Sequence, residues 1–196
     1  MSAVQEHFFI SADEYLNDER ERKIKHELMN GHIYAMAGAS ANHCQLTMNI
    51  ARKFGNHLED LSCRVFSSDM KLRVNDNFFY PDVLVDCRFN DDEPYYTKSP
   101  VIIIEVLSKS TRKNDKVHKF INYINNIPSL QEYVIVEQGI VEIEVVRRSE
   151  AWVRKNYFLG DNITFESIDL TLSVEEIYHR VNNDDMVEFL ILKNGQ

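Results

Sequence analysis

Cysteine is scarce in this sequence, and the few cysteines do not fall into a metal-binding pattern. Cys44, Cys63 and Cys87 are odd in number, widely spaced and form no CxxC pair. This spacing excludes the usual zinc-cage motifs and disfavours a disulfide framework. We therefore expect unpaired cysteines in a reducing, cytoplasmic setting.

Long apolar runs and several common catalytic motifs are also missing. The longest apolar run in the middle of the chain, residues 101–104, has four residues, and the first twenty residues carry five acids and no apolar core segment. These features predict neither a membrane span nor a signal peptide. No GxxxxGK[ST], GxGxxG or GxSxG motif occurs, and no HxH or HxxxH pair, which disfavours nucleotide-phosphate loops, serine hydrolases and histidine-rich metal sites.

Positive charge is in short supply overall but is concentrated in one place. The net charge of -9 argues against generic nucleic-acid binding, which depends on neutralising phosphates. One short stretch, residues 109–119, nevertheless contains five basic residues and a single acid, Asp115. A phosphate backbone would dock on such a stretch, and a solvated helix face would carry the same charges. The basic residues are Lys109, Arg112, Lys113, Lys116 and Lys119.

The chain length of 196 residues suits one domain, residues 1–196, with one sizeable core. In its first half the pattern predicts a capping box at Ser11-x-x-Glu14, a hairpin over 25–36 with its turn at Asn30-Gly31, and a helix over 40–61. The helix has one apolar stripe, and three strands are predicted after it, over 64–74, 78–86 and 101–107. The stripe consists of Leu46, Ile50, Phe54 and Leu58.

The second half predicts a helix, three strands and a last short helix. The first helix covers 111–126 and ends at Ile127-Pro128. Strands are expected over 132–137, 140–148 and 152–158, and Ser173-x-x-Glu176 is a second capping box for a helix that reaches about residue 181. This order indicates an α+β fold with a mixed central sheet. The residues expected on the buried face of the first helix are Val117, Phe120, Ile121 and Ile124.

Two carboxylates stand out because they interrupt apolar segments. Asp82 follows Phe78-Phe79-Tyr80-Pro81, and Glu105 follows Val101-Ile102-Ile103-Ile104. A buried, unpaired carboxylate is costly, and a shared divalent cation removes that cost. Mg²⁺ takes one or two protein carboxylates and keeps several waters, and the carbonyl of Val106 offers another hard oxygen. We expect a magnesium site here, although a turn aspartate and a salt-bridged core glutamate would also explain the two acids separately.

Metal-assisted phosphodiester hydrolysis also benefits from a nearby fixed cation. The nearest lysines in the sequence are Lys109, Lys116 and Lys119. Asp115, Lys119 and Tyr123 recur every four positions and form one line along the helix, opposite its apolar residues, where an exposed Asp–Lys pair is the alternative interpretation. Glu27 and His43 are weaker candidates for the same site.

These residues taken together resemble the Uma-type restriction endonuclease family of the PD-(D/E)xK nuclease superfamily. The resemblance extends from about residue 11 to residue 178 and depends on a combination of motifs. The motifs are Glu27-Leu28-Met29-Asn30-Gly31 with His43 downstream, Tyr80-Pro81-Asp82-Val83, Ile104-Glu105-Val106-Leu107-Ser108-Lys109-Ser110-Thr111, Asp115-x-x-x-Lys119-Phe120-x-x-Tyr123 and Leu130-x-Glu132-Tyr133-Val134.

The resemblance implies an αβββαβ restriction-endonuclease-like core that cleaves DNA with Mg²⁺, or with Mn²⁺. Asp82 and Glu105 match the metal-binding acids, Lys119 a lysine on the following helix, and Glu27 an N-terminal acid of the site. The other residues assigned to the DNA-binding side are Lys109, Arg112, Lys116, Tyr123 and His43. Restriction-type nucleases often act as dimers, so a homodimer is expected.

One departure from the superfamily pattern bears on activity. The position two residues after the second acid holds Leu107 where the superfamily has a lysine. Either Lys119 reaches back into the site, or the protein is a nuclease-fold DNA-binding or accessory module without turnover. A third possibility is an interaction protein whose acids are only paired in the core.

Overall fold

The structure is a computed structural model that describes residues 9–107 and 118–194. The helices are α1 (Ala12–Glu19), α2 (Ala41–His57), α3 (Phe120–Asn126), α4 (Val174–Ile177) and α5 (Asp184–Asn194). The strands are β1 (His26–Met29), β2 (His32–Ala35), β3 (Arg64–Ser67), β4 (Lys71–Val74), β5 (Asn77–Phe79), β6 (Val83–Asp86), β7 (Tyr96–Thr97), β8 (Pro100–Leu107), β9 (Glu132–Glu137), β10 (Ile143–Arg147), β11 (Lys155–Tyr157), β12 (Asn162–Phe165) and β13 (Leu170–Ser173).

The described strands form a six-stranded sheet, a five-stranded sheet and one hairpin. The larger sheet has the order β11-β10-β9-β8-β6-β3, and its β8–β9 pair is parallel while its other pairs are antiparallel. The second sheet has the order β2-β1-β5-β4-β7, and β12 pairs with β13 alone. Within the larger sheet and its helices, α2, β3, β6, β8, α3 and β9 follow one another as αβββαβ. This order confirms the expected α+β class with a mixed sheet flanked by helices.

The two faces of β8 belong to different parts of the core. Ile102, Ile104 and Val106 pack with the apolar stripe of α2. Ile103 and Leu107 pack with Tyr123 of α3 and with residues of the second sheet. Because side chains alternate along a strand, Glu105 lies on the second of these faces. The apolar content of β8 thus reflects burial on both sides, as expected for a central strand.

Local sequence signals predicted several elements correctly. Both capping boxes are formed, at Ser11 and at Ser173. The Asn30-Gly31 turn joins β1 to β2 with both residues at positive φ, 50° and 77°, the backbone geometry of a primed hairpin turn. Helix α2 begins after Ser40, and its predicted stripe is buried throughout.

Two of the predicted strands are each divided between the two sheets. Residues 64–74 form β3 and β4, separated by a turn in which Ser68 has a φ of 47°. Residues 78–86 contribute to β5 and β6, separated by Tyr80-Pro81-Asp82. Proline has no N–H for a sheet ladder, so Pro81 favours a break there. The sequence had placed Asp82 inside the predicted strand 78–86. In the structure Asp82 lies just before β6 and outside any strand.

The predicted burial of the helix over 111–126 is wrong for Ile121, whereas Phe120 is partly buried and packs against the core. Residues 111–117, including Val117, lie outside the described residues. In the described part, Ile121 is 52% exposed, whereas Lys119 and Tyr123 are 6% and 0% exposed. Lys119 and Tyr123 thus face the interior, because they contact the buried acids Glu27 and Glu105 there.

The end of the chain holds elements that the sequence did not predict, namely β12, β13 and α5. The helix opened by the second capping box is also shorter than expected, ending at Ile177. No helix within residues 9–107 and 118–194 combines the length and apolar character that crossing a membrane requires.

Cys63 and Cys87 form a disulfide, contrary to the expectation of unpaired cysteines. Cys63 directly precedes β3 and Cys87 directly follows β6, and the register pairs Arg64 with Asp86. The antiparallel pairing of these strands therefore brings the two cysteines side by side, which their separation of 24 positions does not reveal. Cys44 is a free cysteine and is exposed.

Candidate active site

Two chain crossovers between the sheets position Asp82. One leads from β3 to β4 through Ser68, and the other leads from β5 to β6 through Asp82 itself. The backbone N–H of Ser68 donates to the carbonyl of Asp82 over 3.2 Å. This bond joins the two crossovers and fixes the backbone of Asp82 at the start of β6.

The Asp82 carboxylate lies against the backbone of β8. Its Oδ2 accepts a hydrogen bond from the N–H of Val106 over 2.7 Å, and its Oδ1 lies 2.7 Å from Nε2 of His43. Val106 is the residue after Glu105, so the sheet brings the two predicted metal-binding acids onto adjacent parts of one site. His43 reaches the site from the first turn of α2.

Glu105 is held in place by two side chains from the region of α3. Its Oε1 accepts a hydrogen bond from the Tyr123 hydroxyl over 3.1 Å and lies 3.4 Å from the Lys119 ammonium. Glu105 is 3% exposed. A carboxylate buried this deeply is stable only with such donors and a nearby positive charge.

Glu27 extends this cluster from the second sheet. Its Oε1 lies 2.8 Å from the Lys119 ammonium and also accepts the backbone N–H of Tyr80 over 3.1 Å. Lys119 is therefore placed between two carboxylates, Glu27 and Glu105. Four residues that the sequence connects only by motif, Glu27, Glu105, Lys119 and Tyr123, form one buried cluster.

The charges of the cluster leave room for a cation. Glu27, Glu105 and Asp82 supply three carboxylates, and Lys119 supplies one fixed ammonium to the first two. Asp82, Glu105 and the Val106 carbonyl are the groups that can bind a hard metal ion. No set of three or more His, Cys, Asp or Glu residues with the arrangement of a metal site occurs in the described ranges. This donor set does not suit a zinc cage but fits Mg²⁺, which keeps several of its waters.

Three predicted DNA-contacting residues, Lys109, Arg112 and Lys116, lie outside the described residues, as does Asp115. The other predicted site residues are brought together by the fold. Sequence reasoning missed Gln138, which donates from Nε2 to the carbonyl of Leu107 over 2.8 Å and accepts from the hydroxyl of Ser40. Gln138 thereby connects the end of β8 to the beginning of α2, which carries His43, and the sequence offers no signal for this role.

Comparisons with known proteins agree with this fold. The sequence model of the family described as "Putative restriction endonuclease" (Uma2) matches residues 12–175. A crystal structure described as "a putative nuclease belonging to DUF820" from Anabaena variabilis ATCC 29413 superposes with a TM-score of 0.74 at 16% identity. The superposition covers 86% of this chain and 97% of that one.

Two curated relatives come from Synechocystis sp. (strain ATCC 27184 / PCC 6803 / Kazusa). Uncharacterized protein slr1290 is 36% identical over 174 residues, covering 86% of this chain and 91% of the relative. Uncharacterized protein sll1609 is 35% identical over 164 residues, covering 80% and 92%. The extent of these matches confirms the resemblance seen in the motifs, and the chain belongs to the Uma2 family of restriction-endonuclease-like proteins.

Proposed function

We propose that this protein is a Mg²⁺-dependent endonuclease that hydrolyses phosphodiester bonds in DNA. The family and the fold indicate a nuclease. The observation that carries the proposal is the position of the Lys119 ammonium, 3.4 Å from Oε1 of Glu105 within a buried cluster. It offers a replacement for the lysine that the motif after Glu105 lacks.

The replacement is geometrically consistent because Lys119 and Leu107 approach the same side of β8. Leu107 shares a face of β8 with Glu105 and is packed in the core beside Tyr123. A lysine at position 107 would have reached the site from the strand. Here the positive charge comes instead from the residue that precedes α3, and Leu107 contributes packing.

Asp82, Glu105 and the carbonyl of Val106 would hold the metal ion, which when bound supplies Lewis-acid polarisation of the phosphate and a more acidic water. The remaining groups position these ligands. His43 orients Asp82, and Tyr123 orients Glu105 through its hydroxyl. Removal of such a partner of a metal ligand commonly lowers the metal affinity or the activity by roughly 10- to 100-fold.

Lys119 is the group best placed to stabilise negative charge that develops on the phosphate. A fixed donor directed at the developing charge contributes roughly 10²- to 10³-fold to the rate of such reactions. Glu27 holds the Lys119 ammonium from its other side. The predicted homodimer and the DNA contacts of Lys109, Arg112 and Lys116 remain predictions that belong to this proposal.

Nicking of supercoiled plasmid DNA with and without Mg²⁺ tests the proposal. We expect nicks with Mg²⁺ and none in EDTA, loss of nicking in Asp82→Ala and Glu105→Ala, and strongly slowed nicking in Lys119→Ala. Glu144→Gln, which removes a carboxylate from β10 outside the cluster, serves as the matched control and should nick like the parent. Equal rates in all variants would reject the assignment.

The same assay separates the second candidate, a nuclease-fold DNA-binding module without turnover. Lys119 lies between two buried carboxylates, as it would in an ion pair that only stabilises the fold. This arrangement is the observation that favours a binding module without catalytic activity. A retarded plasmid band without nicks, at every Mg²⁺ concentration, would establish it in place of the nuclease.

A further inference from the structure

A cavity lies beside the crossover between β3 and β4. Its volume is about 260 Å³. The walls consist of four apolar or aromatic residues together with one serine, one lysine and one aspartate. The apolar residues are Phe66, Met70, Pro94 and Tyr95, and the charged residues are Lys71 and Asp69.

Lys71 is buried and has no polar partner. It is 9% exposed and forms no hydrogen bond or ion pair with any residue in the described ranges. Its ammonium lies 5.4 Å from the centre of the Tyr80 ring, and burial lowers the pKa of the Lys71 side chain. Most of the Lys71 side chain is buried and its ammonium has no counter-ion within ion-pair distance, so an anion that reached this ammonium would be bound favourably.

The two nearby acids are already engaged by other groups. Asp69 pairs with Lys25, and Glu19 accepts the backbone N–H of His26 over 2.7 Å and lies 3.3 Å from its ring nitrogen. Neither acid comes within ion-pair distance of Lys71, although both attract it at longer range. The cavity therefore keeps one positive charge available for a ligand.

An exposed aromatic ring stands at the same cavity. Tyr95 is 51% exposed, and the Arg20 guanidinium lies 4.2 Å from the centre of its ring. Exposed tyrosines with a stacked arginine are typical surfaces for nucleobases, because every base offers a π-face. A lysine in the lining next to an aromatic wall matches the chemistry of one nucleotide, with its phosphate and its base.

Backbone hydrogen bonds connect the lining of the cavity to the candidate active site. Ser67, Asp69 and Met70 in its lining flank Ser68, whose N–H bonds to the carbonyl of Asp82. Tyr80, on whose ring the Lys71 ammonium lies, donates its backbone N–H to Glu27. A strand bound at Asp82 and Glu105 would thus have the cavity beside it.

We propose that this cavity binds one nucleotide of the DNA strand next to the cleaved bond, with a phosphate at Lys71 and a base against Tyr95. This inference rests on the proposed function only in taking DNA as the substrate. It adds a substrate-binding site that the family motifs do not include. Duplex that is locally open, or single-stranded DNA, would fit the cavity best, because the base must leave its stack to reach Tyr95.

Fluorescence anisotropy with 5′-fluorescein-labelled 20-nucleotide DNA, single-stranded and duplex, in EDTA tests the site without cleavage. We expect Lys71→Met to bind single-stranded DNA about tenfold more weakly. The slope of the logarithm of the association constant against the logarithm of the salt concentration should become shallower by about 0.7, as for one lost phosphate contact. Tyr95→Ala should weaken binding about fivefold or more with an unchanged salt slope. Lys155→Met removes the same charge at the opposite edge of the larger sheet and should bind like the parent.

The outcomes distinguish this site from the proposed function. Equal weakening in Lys71→Met and Lys155→Met, or parental binding in both Lys71→Met and Tyr95→Ala, would overturn the site even if the parent nicks DNA. Weakened binding in both site variants would support the site even if the parent fails to nick. If Lys71→Met does not fold, Tyr95→Ala, at an exposed position, decides the matter.

Discussion

Lys119 and Glu27, which are 92 positions apart in the sequence, form a buried ion pair with 2.8 Å between the ammonium and Oε1. One residue precedes the short helix α3 and the other lies on β1 of the second sheet. Glu105, on the larger sheet, contacts the same ammonium. The pair thus joins the two sheets beside Glu105, one of the two predicted metal-binding acids.

We expect Lys119→Met to lower the free energy of unfolding by about 3–5 kcal/mol, because it leaves two buried carboxylates without their cation. Glu27→Gln alone should cost less, since Glu105 still balances Lys119. Urea denaturation of the parent, both single variants and the double variant gives the coupling energy, which should exceed about 1 kcal/mol. Additive effects of the two substitutions would show that the pair has no energetic importance.

We expect Mg²⁺ to raise the melting temperature of the parent, because an ion that binds the folded chain and not the unfolded one stabilises the fold. At 100 times its dissociation constant the ion would stabilise the fold by about 2.7 kcal/mol, or roughly 5–10 °C for a chain of this size. Thermal melts at increasing Mg²⁺ measure this effect.

Two variants sharpen the measurement of metal binding. Glu105→Gln should lose the shift, since it removes a charged ligand with little change in shape. Tyr123→Phe, which removes only the hydroxyl bonded to Glu105, should reduce the shift to roughly half or less, since a 10- to 100-fold weaker affinity leaves about 0.4–1.4 kcal/mol of stabilisation. An identical shift in the parent and in Glu105→Gln would place the bound ion elsewhere.

Much of the fold could be predicted from local signals. The Asn30-Gly31 turn, the Ser11 and Ser173 capping boxes and the four-residue period of Leu46, Ile50, Phe54 and Leu58 each depend on near neighbours in the sequence. Their physics is contained within one turn, cap or helix face, so the sequence alone was enough. The central strand 100–107 was also recognisable, because burial on both faces leaves an apolar run.

What the sequence could not predict depends on contacts between distant segments. The face of α3 was predicted from its apolar residues, but Lys119 and Tyr123 face inward to reach Glu27 and Glu105. The division of residues 78–86 depends on Asp82 leaving one sheet for the other. The Cys63–Cys87 pair follows from the register of β3 on β6, which single-sequence patterns do not contain.

We expect the denatured, unreduced protein to show one free thiol, Cys44, when titrated with Ellman's reagent, and three after reduction. Replacing Cys63 and Cys87 with serine should lower the free energy of unfolding by about 2–4 kcal/mol, because the crosslink restricts the unfolded chain. Cys44→Ser is the matched control and should change stability little, since its side chain is exposed. Three thiols before reduction would contradict the pairing.

The stability of Lys71→Met relative to the parent should depend on pH. Burial lowers the pKa of Lys71 below its ordinary value of 10.5, so between these two pKa values the unfolded parent binds more protons than the folded one. The free energy of unfolding of the parent therefore rises with pH in that window, and the contribution of this lysine is absent from the variant. Denaturation from pH 7 to pH 10.5 should show Lys71→Met more stable at pH 7 and the difference shrinking above the lowered pKa; a difference that is constant with pH would refute the cost of this buried charge.

Anomalous diffraction from crystals soaked in Mn²⁺ would show whether Asp82 and Glu105 share one metal ion, because it locates the ion without requiring turnover. We expect one anomalous peak between the carboxylates of Asp82 and Glu105, with the Val106 carbonyl among the ligands and the Lys119 ammonium nearby. A fully soaked crystal with no peak there, or with the two carboxylates directed away from each other, would rule out a shared metal ion.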